Sequence, residues 1–258
     1  MPEGHSLHLA ARRLAPLEGQ TVRAESGDAR GVAVARAMDG ATLGRAYARG
    51  KHLLLPLEDG RVLHSHLRMR GSWRLFRADE RWSKPARLAW LILRTESLVA
   101  VQFNGPVLEL LRPGAIGLHP VLSRLGPDVL ADDFDPGRAA RNAILAAEDR
   151  AVAEVLLDQR VASGIGNIAK SEGLWSARAD PFATPQEVGE ERLTKVYVAA
   201  AGWLAAALEH GGSAPCHVYG KPVCSRCGRR TSKRAQGDDG RTTWWCPNCQ
   251  VPGGAARR

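Results

Sequence analysis

Four cysteines in two pairs say most about chemistry. Cys224 and Cys227 form one C-x-x-C, Cys246 and Cys249 form a second, and 18 residues separate the pairs. Four thiolates complete a tetrahedral shell around zinc, and this spacing falls in the window of such sites. A closed four-sulfur shell leaves no position for water, so the expected ion is one structural Zn2+ with no part in catalysis. Cys216 is left over and reads as a small neutral residue. All five cysteines lie in the last 43 residues, unlike a disulfide framework. Between the pairs, Arg229, Arg230, Lys233, Arg234 and Arg241 are basic, and Trp244 and Trp245 lead into the second pair. Gly237-Asp238-Asp239-Gly240 reads as the tip of a β-hairpin. A basic hairpin stapled by zinc suits the backbone of DNA; a solvated basic turn has the same composition.

The start of the chain offers a different chemistry. Met is removed before small residues, and its loss here would leave Pro2 as a free secondary amine. An α-amine titrates near ~8 against roughly 10.4 for lysine, so a fraction is neutral and nucleophilic at neutral pH. Such amines form Schiff bases with sugar aldehyde carbons, and Glu3 stands beside it as an acid/base. A third candidate is Gly164-Ile165-Gly166-Asn167, directly before a helical run at 168–177. Glycine-rich approaches to helix N-termini bind phosphate through free N–H groups, with Asn167 expected as the cap. A plain helix start reads the same way.

These residues need elements to hold them. Leu7, Ala10, Leu14 and Leu17 recur at helical spacing, so 3–18 is expected to be a helix. Short apolar runs at 21–24, 53–57, 62–67, 73–76, 88–93 and 98–103, separated by turn residues, predict an antiparallel β-sandwich or barrel. A linker is expected at 112–120. Helical patterns follow at 135–148, 151–157, 168–177 and 186–210. The fold class is therefore α+β and multidomain: an N-terminal helix and β-sandwich over 1–115, a helical domain over 122–212, a four-cysteine module over 216–250, and a disordered tail over 251–258.

The chain has 258 residues, and 44% are hydrophobic, enough for a buried core. Its net charge is +9, carried by thirty arginines and six lysines. Arginine forks onto phosphate, which points to a polyanionic partner; an arginine-rich genome gives the same surplus. No apolar run reaches the ~18 residues of a membrane span, and no signal peptide is evident, so the expected location is cytoplasmic with no membrane partner.

Taken together, Pro2-Glu3-Gly4, the Gly50-Lys51-His52 turn before a strand, the Gly-Ile-Gly-Asn loop and the four-cysteine finger resemble the formamidopyrimidine-DNA glycosylase/endonuclease VIII family. The resemblance covers nearly the whole chain in the family's order. It implies a β-sandwich with an N-terminal helix, then a helix–two-turn–helix domain ending in a zinc β-hairpin. It implies damaged DNA as partner, a monomer, and a bifunctional glycosylase/AP lyase of base excision repair. By the same resemblance, Pro2 attacks C1′, Glu3 donates a proton to the deoxyribose ring oxygen, and Lys51 assists base release and β-elimination. Asn167 grips phosphate beside the lesion, Arg241 binds phosphate and aids δ-elimination, and Arg124 is a further DNA contact. The loop His66-Leu67-Arg68-Met69-Arg70-Gly71 matches the segment that fills the void of a flipped base, with Met69 as the wedge and Arg68 and Arg70 flanking it; a core methionine is the plain alternative.

Two features favour the endonuclease VIII-like branch and oxidised pyrimidines as substrates. Gly4 follows Glu3, and the segment Val101-Gln102-Phe103-Asn104-Gly105-Pro106 has a phenylalanine but none of the arginine with which the guanine-directed branch probes the opposite base. An 8-oxoguanine/formamidopyrimidine glycosylase, or a non-catalytic DNA-binding protein on the same scaffold, are the alternatives. Two departures stand out. Ser6, preceded by His5, occupies the place where the family commonly has a glutamate, and the stretch 217–224 before the first cysteine pair is short.

Overall fold

The structure, a computed structural model, describes residues 2–237 and 240–251. Asp238 and Asp239 of the expected hairpin tip, and the expected disordered tail from 252 onward, lie outside the described residues. The chain divides into two compact units, Met1–Arg124 and Leu125–Arg258.

The first unit opens with α1 (Gly4–Leu14), whose Leu7, Ala10, Ala11 and Leu14 are buried along one stripe. It is shorter than the expected 3–18. Pro16 lacks an N–H and crowds the preceding turn, and the α-helix gives way to a 3-10 turn at Ala15–Leu17. After β1 (Arg23–Glu25) comes α2 (Val32–Met38), which the apolar pattern did not reveal. Seven strands follow: β2 (Tyr47–Arg49), β3 (His52–Pro56), β4 (Val62–His66), β5 (Ser72–Arg77), β6 (Ala89–Arg94), β7 (Leu98–Phe103) and β8 (Val107–Leu111). They form two four-stranded antiparallel sheets, ordered β1-β6-β7-β5 and β2-β3-β4-β8.

One hydrophobic cluster fills the space between the sheets. Leu53, Leu55 and Leu63 enter from one sheet, Trp73, Leu91, Leu93 and Ala100 from the other, with Leu7, Leu14 and Met38 from the helices. Each fully buried leucine is worth ~1.5–3 kcal/mol. The far side of β6 and β7 is also apolar, with Ile92, Val99, Val101 and Phe103 covered by Trp82 and Leu88. Burial on both faces explains why those strands read as continuous apolar runs. Ser65 ties the sheets through polar contacts, accepting from Trp73 Nε1 at 3.1 Å and Gln102 Nε2 at 2.9 Å.

The second unit holds α3 (Pro136–Ala146), α4 (Val152–Val155), α5 (Asn167–Ser176), α6 (Pro185–Val188) and α7 (Glu190–Glu209), then the antiparallel pair β9 (Ser232–Gln236) and β10 (Arg241–Trp245). α7 packs on both α3 and α5 around Ala139, Ala143, Ala169, Val196, Ala200 and Leu204. The expected single helix at 186–210 is two. Thr184 and Glu187 form a capping box at the start of α6, and Gly189, at φ +81°, turns the chain before α7 begins. Among the described residues, no helix is long and apolar enough to cross a membrane.

Gly31, at the N-terminus of α2, touches the backbone of β6: a Cβ there would lie 1.6 Å from the Trp90 carbonyl oxygen. The Gly31→Ala variant is therefore expected to lose at least ~1–3 kcal/mol in a urea denaturation curve, since a backbone atom cannot move aside as a side chain can.

Candidate active site

In the first unit, Glu3 is fully buried and is the N-cap residue of α1, with Pro2 half-buried before it. Ser6 sits at the third helical position. Its hydroxyl accepts from the Glu3 backbone N–H at 3.4 Å and meets His5 Nε2 at 3.2 Å. The short hydroxyl thus performs the returning half of a capping box, a job glutamate usually does at this position. α1 packs on β2 and β3, the hairpin whose two-residue turn is Gly50-Lys51. Gly50 has φ +57°, and glycine suits the first central position of so tight a turn. Lys51 is half-buried.

The β3–β4 ladder pairs His52 with His66, so the Lys51 turn and the loop after His66 leave the same end of the sheet. In that loop Arg68, Met69 and Arg70 are all exposed, Met69 by 53%. A core methionine is therefore ruled out. The backbone of Arg68 is left-handed, at φ +48°, and its N–H donates to His66 Nδ1 at 3.0 Å. On the β7–β8 connection only Asn104, Gly105 and Pro106 lie between the strands. Phe103 is fully buried against Phe76 and Trp82 and belongs to the core.

Sequence reasoning missed a row of histidines on the same sheet. His52, His64, His66 and Glu109 share the face opposite the leucine core. His52 Nδ1 lies 2.7 Å from His64 Nε2, His64 Nδ1 lies 2.6 Å from Glu109 Oε1, and His119 Nε2 lies 3.0 Å from the same oxygen. The His52 and His66 rings are 4.8 Å apart. Burial pushes the His52 ring down to about 2, helped by the neighbouring His66, His64, His119 and Lys51 charges. Burial likewise lowers His66 to about 4, with Arg68 and Lys51 adding to the shift. His64 is lowered by burial against the pull of Glu109. For Glu109, burial works upward, but hydrogen bonds from His64 and His119 outweigh it and hold the carboxyl below its usual range.

In the second unit, Asn167 is the first residue of α5 and not its cap; Gly166 holds that place, with extended backbone and no side chain to offer. Asn167 Oδ1 instead accepts from Lys170 Nζ at 3.2 Å. Lys170 is fully buried and also donates to Thr243 Oγ1 at 2.9 Å, on β10 two residues from Arg241. Arg241 is half-buried and pairs with Gln236 across the hairpin. Arg124 closes the first unit, exposed at the end of a short 3-10 turn.

The four Sγ atoms of Cys224, Cys227, Cys246 and Cys249 all lie within 4.8 Å of one another. Cys224 and Cys249 are 4.0 Å apart, and Cys227 and Cys246 are 3.6 Å apart. Sulfurs ~2.3 Å from a tetrahedral zinc stand about 3.8 Å from each other, so the group fits that ion. Burial would raise the Cys224 thiol, yet donation from Trp175 Nε1 and the backbone N–H groups of Arg226 and Cys227 brings it down to about 6, whereas burial raises the Cys246 and Cys249 thiols. Cys216 is not among the four. The short stretch before the first pair is anchored by Glu172 of α5, whose carboxylate accepts from the backbone N–H groups of His217, Val218 and Tyr219 at 2.8–3.0 Å.

Comparison with known proteins places this geometry. The family model described as the formamidopyrimidine-DNA glycosylase N-terminal domain matches residues 1–106, and that of the formamidopyrimidine-DNA glycosylase H2TH domain matches residues 125–216. The chain belongs to the formamidopyrimidine-DNA glycosylase/endonuclease VIII family. Within it, the endonuclease VIII-like branch is the one represented. The probable endonuclease 8 2 of Streptomyces coelicolor is 38% identical over 98% of this chain and 97% of its own length. The DNA-(apurinic or apyrimidinic site) lyase Nei2 of Mycolicibacterium smegmatis is 32% identical over 97% and 99%. Among solved structures, Lactococcus lactis formamidopyrimidine-DNA glycosylase bound to DNA containing an abasic site superposes with a TM-score of 0.83 at 26% identity, covering 96% of this chain and 99% of that one.

As a member of this family of DNA glycosylases and AP lyases, the protein is a DNA-repair enzyme with its expected fold: helix and antiparallel sheets first, helices and a four-cysteine hairpin after. Lys170, Glu172, His64, Glu109 and His119 stand in no motif, and His52 and His66, though they flank motif residues, gave no sign of their pairing. Each is recognisable only by what it touches.

Unfolded histidines take up protons near pH ~6.5, whereas His52 and His66 in the fold do so only near 2 and 4. The unfolded state therefore binds more protons below that pH, and folding stability falls as pH drops. The thermal midpoint is expected to decrease from pH 7 to pH 5, with a shallower slope in His52→Phe. Equal slopes for the two proteins would show that the buried ring takes no part.

Proposed function

We propose that this enzyme excises oxidised pyrimidines from DNA and nicks the strand by β,δ-elimination. With Met1 removed, the Pro2 amine attacks C1′ of the damaged nucleotide. Glu3 protonates the deoxyribose ring oxygen as the ring opens, the base departs, and an iminium joins Pro2 to the sugar. Loss of a C2′ proton then expels the 3′ phosphate, a second elimination expels the 5′ phosphate, and water releases Pro2. Lys51 assists base release and the first elimination. Asn167 grips a phosphate beside the lesion, and Arg241 binds phosphate and aids the second elimination. Met69 enters the space left by the flipped base, flanked by Arg68 and Arg70, and Arg124 adds a backbone contact. The protein acts as a monomer on damaged DNA.

The observation that carries this reading is the seating of Glu3, a fully buried carboxylate next to the terminal proline at the helix start that packs on the Lys51 hairpin. The pyrimidine preference draws support from the β7–β8 connection, three residues long with its phenylalanine committed to the core. A single Zn2+ on the four cysteines is structural in this reading: all four positions around the ion are sulfur, and its work is to hold the Arg241 hairpin.

Borohydride reduction on abasic-site DNA tests the chemistry directly. Wild type is expected to give a covalent complex, and a form with a blocked Pro2 amine is expected to give none. Equal trapping by both would rule out Pro2 as the nucleophile. A panel of duplexes carrying oxidised pyrimidines or 8-oxoguanine is expected to show faster excision of the pyrimidines. Removing zinc with a chelator is expected to abolish cleavage by loosening the hairpin; cleavage that survives full removal would overturn the role given to Arg241.

A further inference from the structure

The histidine row is too ordered to be incidental packing. Its protonation pattern follows from its partners. His119 Nδ1 accepts from the backbone N–H groups of Val121 and Leu122, both at 3.1 Å, so that nitrogen carries no proton and Nε2–H donates to Glu109. This also argues against a metal on His64, Glu109 and His119, though their ligand atoms cluster closely enough to hold one. A neutral His119 offers Nε2 with its proton on, and moving that proton to Nδ1 would set it against two N–H donors. Glu109 therefore receives protons and not an ion. Its carboxylate fixes the proton of His64 on Nδ1, His64 Nε2 is left as an acceptor, and His52 must donate through Nδ1. Burial disfavours the charged form of His52 and His64, and with those rings neutral each proton has one place.

The column ends at His52, the residue after Lys51 and the cross-strand partner of His66. His66 in turn accepts from the Arg68 N–H and so supports the left-handed turn that presents Met69. The groups facing His52 are Lys51 on its own turn, His64 and His66 on β4, and His119 from the segment after β8; Arg68 and Lys51 face His66. A ring free to rotate, or one carrying charge, would stand beside the lysine ammonium at the start of β3. We propose that the Glu109–His64–His52 column positions the Lys51 turn for base release and strand cleavage, with His64 as its central positioning residue. This inference rests on the role given to Lys51 above.

The test compares His64→Leu, His64→Gln and Glu109→Ala with wild type on abasic-site duplex DNA. Leucine cannot accept from His52. Glutamine can accept through its oxygen and donate to Glu109 through its amide. Glu109 is 44% exposed at its side chain, so Glu109→Ala removes the base of the column without opening the core. Misplacing a group that acts on substrate by about 1 Å costs on the order of a hundredfold. His64→Leu and Glu109→Ala are expected to lose about tenfold to a hundredfold in kcat with KM little changed. His64→Gln is expected to recover most of the loss. Nitrogen-15 NMR of His52 is expected to show the Nδ1–H form in wild type and His64→Gln, and a mixture in His64→Leu. If wild type traps and cleaves while Glu109→Ala and a folded His64→Leu match its kcat, the column has no positioning role. If wild type itself neither traps nor cleaves, the functional reading fails, and the role of Lys51 with it.

Discussion

The antiparallel pairing of β3 with β4 governs the first unit. Side chains along a strand alternate between faces, and a one-residue slip would exchange them all. Leu53, Leu55 and Leu63 must face the core between the sheets, where their burial supplies much of the driving force. With the leucines committed, His52, His64 and His66 have only the other face. The same register sets His52 opposite His66, which brings the Lys51 turn and the Met69 loop to one end of the ladder. The positions of the Lys51 turn and the Met69 loop are thus consequences of where the leucines go.

The second unit depends on burying polar groups with their partners supplied. A two-stranded ribbon such as β9–β10 is marginal alone. Here the four cysteines cluster at its base, and Lys170 ties it to α5 with an ammonium that spans from Asn167 to Thr243. A buried lysine is costly unless its donors are satisfied, so this bridge fixes the hairpin against the start of α5. Glu172, two residues further on, secures the segment ahead of the first cysteine pair through three backbone N–H groups. Consecutive turns of one helix therefore position the glycine-loop asparagine, the hairpin and the finger.

Metal-ligand spacing, the terminal proline and the order of β and helical regions were plain from the residues, because each obeys a local rule of spacing or periodicity. The exposed place of Met69 came from the structure, since a core methionine fitted the residues as well. The same local rules failed where a second signal competed. Helix α2 lay between the apolar runs of a region read as β, and no strand or helix was assigned to it. The break at Gly189 was missed because a lone glycine within a helical pattern does not show that its backbone is left-handed. Asn167 was taken for a cap by its type, but the preceding glycine holds that position.

What the sequence determined by itself was the family and the four-cysteine group, and it named the residues proposed to carry the chemistry. Only the tertiary structure decided how those residues are held. His52, His64, Glu109 and His119 are separated by 12, 45 and 10 positions along the chain, and no spacing rule connects them. Their hydrogen bonds exist because sheet register and a connecting segment bring distant strands together in a buried place. There the partners of each nitrogen dictate where its proton sits. That information is a property of packing, not of order along the chain.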